Sequence, residues 1–413
     1  MDERDAADAV PGGDAAGRAA GATLPPGAAP HTTPRTTSHT APHAAPHAVG
    51  ARHEVGVDDG RVALAHAVEH ATAAAERLLV ATVEDRVRHG RGLADDHAQL
   101  WSDLGAGLGG KLMRPRLTVT AYLGLGGTDV DAVAPVAAAQ EMLHTAMLVH
   151  DDLLDRDEVR RGRPNVAGAA RARLAADGVA GPAQDEQVAA AALLAGDTAL
   201  AQAFALLARA AVPPHVVAEL VRLLAGGVDT TVAGELLDVR GQVRTLADVD
   251  TLLVAELKTA AYSFRVPLES GAVVAGASDG QRTALALVGT ALGLAYQLTD
   301  DDLGVFGDPA ATGKSVLSDL RSGKRTELLR LTWQRADGSG RDVLRAHVGR
   351  ADLDEDGAAR VRDVMRGCGA LDEVRAVTRR AADIARTLAT TTLPEPLAGY
   401  LAGVVDDLVA RGH

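Results

Sequence analysis

Three carboxylates fall within five residues at Asp151-Asp152-Leu153-Leu154-Asp155, and two guanidinium groups follow at Arg160-Arg161. On a helix, Asp151 and Asp155 share a face and stand about 6 Å apart along its axis. Two like charges at that separation repel by roughly 3 kcal/mol at an effective dielectric near 20. A fold tolerates such a cluster where it faces water or holds cations. The pattern points to a divalent metal beside phosphate oxygens, which arginine forks grip well.

A second cluster closes the segment Tyr296-Gln297-Leu298-Thr299-Asp300-Asp301-Asp302, with Gln297 on the face of Asp300. Two acidic helix ends facing each other can hold several Mg²⁺, an ion that binds through one or two carboxylates plus substrate phosphates. Cationic groups accompany them. Gly109-Gly110-Lys111 followed by Arg114 lets backbone approach an anion closely and supplies two positive side chains. Leu257-Lys258-Thr259 offers an ammonium and a hydroxyl. Gly313-Lys314 and Gly323-Lys324 carry two more lysines on glycine-bearing loops. Only four of the 42 basic residues are lysine, namely Lys111, Lys258, Lys314 and Lys324. A chain so biased to arginine keeps lysine where a compact ammonium serves as a phosphate ligand. His144, two helical turns before Asp151, lies on roughly the same face. Gly313-Lys314-Ser315 is not a P-loop, because Asp308 stands where that motif needs glycine and the preceding segment reads as helix.

These groups must be positioned by helices. The chain has 413 residues, 2% aromatic content and abundant alanine and leucine, which favours an all-α fold. Residues 1–58 are rich in Ala, Pro, Thr and His without helical period and are expected to be a disordered tail. Residues 59–413 form the helical domain. Helices are predicted near 61–87, 114–124, 130–153, 186–210, 215–240, 247–263, 279–302, 325–335, 339–349, 355–366, 369–390 and 395–411. Residues 166–187, with Gly181-Pro182, are expected to be a long loop. The net charge of −13 argues against a nucleic-acid binder. The single cysteine, Cys368, excludes an intrachain disulfide framework. No apolar run is long enough to predict a membrane span, and no secretory signal is evident at Met1-Asp2-Glu3-Arg4. A cytoplasmic enzyme is the expectation.

Taken in order, Gly-Gly-Lys-x-x-Arg-Pro from Gly109, His144 with His150-Asp151-Asp152-x-x-Asp155, Arg160-Arg161-Gly162, Lys258-Thr259, Tyr296-Gln297-x-x-Asp300-Asp301, Gly313-Lys314 and Gly323-Lys324-x-Thr326 resemble the trans-polyprenyl diphosphate synthases, over residues 60–413. Within that family the look is closest to geranylgeranyl diphosphate synthases. The resemblance implies an isoprenoid synthase-like helical bundle around a central cavity, a homodimer, and head-to-tail joining of isopentenyl diphosphate to an allylic diphosphate. It implies Mg²⁺ as cofactor, three ions per active site, on Asp151, Asp155 and Asp300, with Asp152, Asp301 and Lys258 among the catalytic groups. Lys258, Thr259, Gln297, Lys314, Lys324 and Arg160 would hold the allylic diphosphate. Lys111, Arg114, His144 and Arg161 would hold isopentenyl diphosphate. No other base stands out, so the departing diphosphate is expected to take the proton.

Two positions depart from the family pattern. Gly304 stands where many members carry a third aspartate, with Asp302 next in line to compensate. Glu235 replaces a frequent glutamine. The tail of the product is expected to grow along the helix that ends at Asp151, past Met147 and Ala146 to Leu143. A small Ala146 and a flexible Met147 predict a product longer than farnesyl, namely geranylgeranyl diphosphate. A class I terpene cyclase would share the aspartate cluster but lack the Lys111–Arg114 site. A non-catalytic partner subunit of a heteromeric synthase is the other alternative.

Overall fold

The architecture follows from alanine-rich helices that can approach closely. In the computed structural model, residues 50–308 and 316–411 are described, with side chains from residue 59 onward. The expected tail falls largely outside the described residues, and so does Lys314. The first helix, α1 (Gly50–Arg91), enters well ahead of the predicted start at Arg61. It is followed by α2 (Asp95–Gly107), α3 (Met113–Gly124) and α4 (Val130–Asp155). A two-stranded hairpin, β1 (Val159–Arg160) and β2 (Arg163–Pro164), then leads to α5 (Val166–Ala176) and α6 (Pro182–Leu207). Next come α7 (Pro214–Gln242), the short α8 (Thr251–Val254), a π-helical stretch (Ala255–Arg265), α9 (Val266–Val274) and α10 (Asp279–Phe306). The C-terminal part holds α11 (Ser318–Ser322), α12 (Glu327–Arg335), α13 (Gly338–His347), α14 (Glu355–Gly367), α15 (Ala370–Thr392) and α16 (Leu397–Arg411). The all-α expectation holds, with one hairpin as the exception among the described residues.

Two segments differ from the sequence reading. Residues 95–107 form α2, which was not predicted. Residues 166–187 are not one long loop, because they contain α5 and the start of α6. Asn165 caps α5 by accepting from the Gly168 N–H at 2.9 Å. Arg173 on α5 donates to both carboxylate oxygens of Asp103 on α2, at 3.1 and 2.6 Å. Pro182 sits in the first turn of α6, where its missing N–H costs nothing.

Helix α4 is the central post. Asp129 caps it by accepting from the Asp131 and Ala132 N–H groups. It packs against α6 through small residues, including Ala138, Ala139, Ala146, Ala192, Ala195 and Ala199, all at most 1% exposed. A second core joins α10 to α15 and α16, and a third lies under α12 to α15. By length and composition, α4 and α6 both match a membrane span, unlike the sequence expectation. Helix α4 is 83% buried over that stretch and serves as a core helix, while α6 is 39% buried.

The π-helical stretch matters most for the site. It packs against α7 on one side and α10 on the other. Gly234 on α7 permits the approach: a Cβ there would lie 2.4 Å from the Lys258 backbone nitrogen.

Candidate active site

Helix α4 delivers the first acidic wall at its C-terminal end. It stops at Arg156, which takes a left-handed conformation (φ 59°). Asp151 remains half-buried and Asp155 exposed, while Asp152 is buried at 4%. Burial and the neighbouring Asp151 push the Asp155 carboxyl up to about 6, against the pull of Lys258. A carboxylate pair that resists full ionisation in this way accepts a cation readily.

The hairpin then divides the two arginines. Arg161 (φ 54°) and Gly162 (φ 72°) form its two-residue turn, as a type I′ geometry requires. Arg160, on the strand, donates from Nε to Asp152 Oδ1 at 2.9 Å and approaches Asp151 Oδ2 at 3.6 Å. Arg161, on the turn, donates to the Gly109 carbonyl at 2.6 Å and lies against Gly110. Consecutive arginines thus serve different places.

Lys258 stands across from the first wall. Its ammonium lies 3.1 Å from Asp151 Oδ1, 2.9 Å from Glu235 Oε2 and 2.7 Å from Asp238 Oδ2. Burial disfavours that charge, yet Asp151, Asp238 and Glu235 together outweigh it and hold Lys258 above its ordinary value. Glu235, at the position that departs from the family, is therefore a direct partner of the central lysine. Asp238 was not singled out by the sequence, although Gly234-Glu235-x-x-Asp238 puts both acids on one helix face.

The next residue, Thr259, donates to Gln297 Oε1 at 2.8 Å, and Gln297 Nε2 donates to Asp301 Oδ1 at 2.8 Å. A single turn of the π-helix therefore joins the end of α4 to the end of α10. On this second wall, Lys324 lies 3.5 Å from Asp301. Burial pushes Asp301 up to about 6 although Lys324 pulls the other way, and Asp319 adds to the rise. Asp301 first, then Asp319 and Asp300, hold Lys324 above its ordinary value in spite of its burial. A small cavity of about 50 Å³ sits between Lys258, Thr259, Asp301 and Lys324. Asp302 does not compensate for Gly304. It is 5% exposed and accepts from Arg375 Nε on α15 at 2.7 Å, so it faces away from the wall.

A second group of cationic side chains gathers near His144. Arg114 on α3 donates to Ser263 Oγ at 2.7 Å and stacks over the Tyr262 ring at 4.9 Å. The Tyr262 hydroxyl is 3.3 Å from His144 Nδ1. Burial, then Arg114, Arg160 and Arg161, hold the His144 imidazole well below its ordinary value. His144 is therefore a neutral partner among arginines. Lys111 is exposed on the loop just before α3. Leu112 in that loop is left-handed (φ 47°), a strained state of the kind concentrated at functional sites. A larger cavity of about 470 Å³ lies behind the loop between α1 and α2, reaching Gly109 and Leu112.

Among the described residues, no three carboxylate, thiolate or imidazole groups converge tightly enough to hold an ion by themselves. A divalent ion held here would need ligands beyond these side chains, such as phosphate oxygens or water. The donor set is all oxygen, and two ammonium groups occupy the spaces between the carboxylates.

The pattern typical of one family, described as "Polyprenyl synthetase", matches residues 101–365. The chain belongs to the polyprenyl synthetase family. It is 40% identical over 230 residues to a (2E,6E)-farnesyl diphosphate synthase of Mycobacterium tuberculosis, covering 55% of this chain and 58% of that one. The chain thus spans little more than half the length of that relative. A geranylfarnesyl diphosphate synthase of Aeropyrum pernix is 35% identical over 67% of this chain and 83% of its own. A geranylgeranyl pyrophosphate synthase of Corynebacterium glutamicum, solved with isoprenyl diphosphate and magnesium, superposes with a TM-score of 0.74 at 29% identity, over 83% of this chain and 98% of its own. Both acidic walls, Lys258, Lys324, Arg114, His144 and Arg161 lie within the matched residues of this polyprenyl synthetase family member.

Proposed function

We propose that the protein is a Mg²⁺-dependent prenyltransferase that condenses isopentenyl diphosphate with an allylic diphosphate. One observation carries this reading. On the π-helical stretch Lys258 contacts Asp151 and Thr259 contacts Gln297, while one turn on, Ser263 accepts from Arg114 and the Tyr262 hydroxyl lies beside His144. Two anion sites a helical turn apart suit a reaction between two diphosphates. A cyclase needs only one.

Lys258, Lys324 and Arg160 hold the allylic diphosphate and stabilise the charge that grows on it as the C–O bond breaks. Mg²⁺, when bound at Asp151, Asp155 and Asp300, neutralises that leaving group further. Arg114, Arg161, Lys111 and neutral His144 orient isopentenyl diphosphate so that its double bond meets the allylic carbon. The apolar core around α4 and α6 keeps water from the carbocation. The departed diphosphate receives the proton that is lost.

The product is longer than farnesyl, with geranylgeranyl diphosphate as our choice. Leu143 and Ala146 are fully buried along α4, and Met147 is partly so. The small Ala146 supports a tail that passes the first turn. Exposed Leu193 and Leu194 on α6 (49% and 56%) support a homodimer that covers them.

Incubation with radiolabelled isopentenyl diphosphate, Mg²⁺ and each of the dimethylallyl, geranyl and farnesyl diphosphates tests the reading. Chain elongation supports it. A cyclic hydrocarbon points to a cyclase, and no product with any primer points to a partner subunit.

A further inference from the structure

We propose that Glu235 competes with the allylic diphosphate for the Lys258 ammonium, and so sets how weakly this chain holds that substrate. This rests on the functional reading above, in which Lys258 engages the allylic diphosphate. Glu235 Oε2 lies 2.9 Å from Lys258 Nζ, and Asp238 Oδ2 lies 2.7 Å from it. The two acids stand three apart on α7, which puts them on one helix face. The packing between helices fixes this contact. A Cβ on Gly234 would fall 2.4 Å from the Lys258 backbone nitrogen and 2.8 Å from the Leu257 carbonyl carbon. The residue after Gly234 is thus held beside Lys258, and the two side chains have little freedom to part. Each is 21% exposed, so water screens their attraction only in part.

A lysine ammonium has three N–H donors. Three carboxylates surround this one, with Asp151 at 3.1 Å as the third. A diphosphate oxygen that takes one of these N–H groups must displace a carboxylate. Asp238 makes the shortest contact and is the least exposed of the three, at 15%, so it aims the lysine. Asp151 belongs to the acidic end of α4. Glu235 is the partner whose place the phosphate oxygen takes. A glutamine of the same shape would offer Lys258 a neutral carbonyl oxygen, a partner about half as strong as a carboxylate. It would also carry no charge to repel the diphosphate. Glutamate at 235 therefore weakens the allylic site in two ways: it holds the ammonium more tightly, and it sets a like charge beside the phosphate.

The test is calorimetric titration of the full-length protein, at fixed Mg²⁺, with the thiolo analogue of dimethylallyl diphosphate. Sulfur replaces the bridging oxygen in that analogue, so it binds without ionising readily. Melting temperatures check folding. Glu235→Gln should bind the analogue about tenfold more tightly than the parent protein, the difference between a charged and a neutral hydrogen-bond partner. Glu235→Ala, which removes the charge without adding an amide, should also bind it more tightly. In turnover by Glu235→Gln, KM for the allylic diphosphate should fall while KM for isopentenyl diphosphate stays unchanged. A general loosening of α7 would not produce that split. Equal or weaker binding of the analogue by folded Glu235→Gln overturns the proposal, and weaker binding would make Glu235 a group that helps to hold the substrate. An equal shift in both KM values overturns it as well. If the parent protein itself does not bind the analogue, the functional reading fails, and this proposal fails with it. If the parent binds and Glu235→Gln gains nothing, this proposal fails alone.

Discussion

The Lys258 ammonium stands 3.1 Å from Asp151, across the gap between the π-helical stretch and the end of α4. It is a cation already seated among three carboxylates. Replacing it by methionine removes the charge and leaves Asp151, Glu235 and Asp238 facing each other. We expect Lys258→Met to lower kcat by about 10²–10³-fold, the scale of one lost charge-stabilising donor. Its melting temperature without metal should fall, and added Mg²⁺ should recover more of it than in the parent protein. Steady-state assays and melts at several Mg²⁺ concentrations measure both effects.

Arg160 and Arg161 are adjacent in the chain, yet Arg160 donates to Asp152 and Arg161 to the Gly109 carbonyl, and in the proposed reading they serve different diphosphates. Arg160→Ala should raise KM for the allylic diphosphate, with KM for isopentenyl diphosphate little changed. Arg161→Ala should do the reverse. Each loss should be about tenfold or more, since charge-assisted bonds are worth roughly 1.5–3 kcal/mol. A variant that alters both KM values equally would contradict the division.

His144 gives the site a pH dependence of known sign. Its imidazole is held below the ordinary value of 6.5, so the folded protein prefers it neutral. The associated stability is fully present above that value and is lost as pH falls toward the depressed folded value. Melting temperatures from pH 7.5 down to 5 should decline in the parent protein. His144→Gln should show a shallower decline over the same interval.

Asp302 and Arg375 tie the second wall to α15. Removing the arginine leaves a carboxylate that is 5% exposed without its partner. A fully buried pair broken this way costs roughly 3–5 kcal/mol. Arg375 is partly open to solvent, so we expect about 2 kcal/mol for Arg375→Met. Adding Asp302→Asn should return part of that loss. Chemical denaturation of both variants checks the pair.

The product ruler is tested at Ala146. In the proposed reading the product tail passes Ala146, so Ala146→Phe, checked for folding by its melting temperature because Ala146 is a core residue against α6, should shorten the main product by at least one isoprene unit. An unchanged product spectrum would remove Ala146 from the ruler.

Much of the site was legible because its chemistry recurs at short spacings on single helices. Asp151 and Asp155 follow the helical period, and Lys258-Thr259 pairs an ammonium with a hydroxyl; in the structure Lys258 lies beside Asp151 and Thr259 beside Gln297. Gln297, expected on the face of Asp300, donates instead to Asp301. What stayed hidden depends on packing between elements. The sequence offers Asp302 as a substitute for the carboxylate missing at Gly304, and the structure instead gives it to Arg375 on α15. The approach of Asp319 to Gly304 was hidden, since it joins two separate helices. Helix α5 was missed because glycine and proline at Gly178 and Gly181-Pro182 suggested one loop, and they instead separate two helices. The Asn165 cap was the sign that could have revealed it.

The widened helix between Ala255 and Arg265 has a consequence for heredity. Lys258 and Thr259 contact Asp151 and Gln297, Tyr262 and Ser263 contact His144 and Arg114, and the surplus residue of a π-turn sets their phase. Deleting one residue there would rotate everything beyond it by about 100° and turn the second pair away from Arg114 and His144. Single substitutions in this stretch are graded in effect, whereas a one-codon insertion or deletion would uncouple two intact subsites at once. Length, more than composition, is what this segment cannot vary.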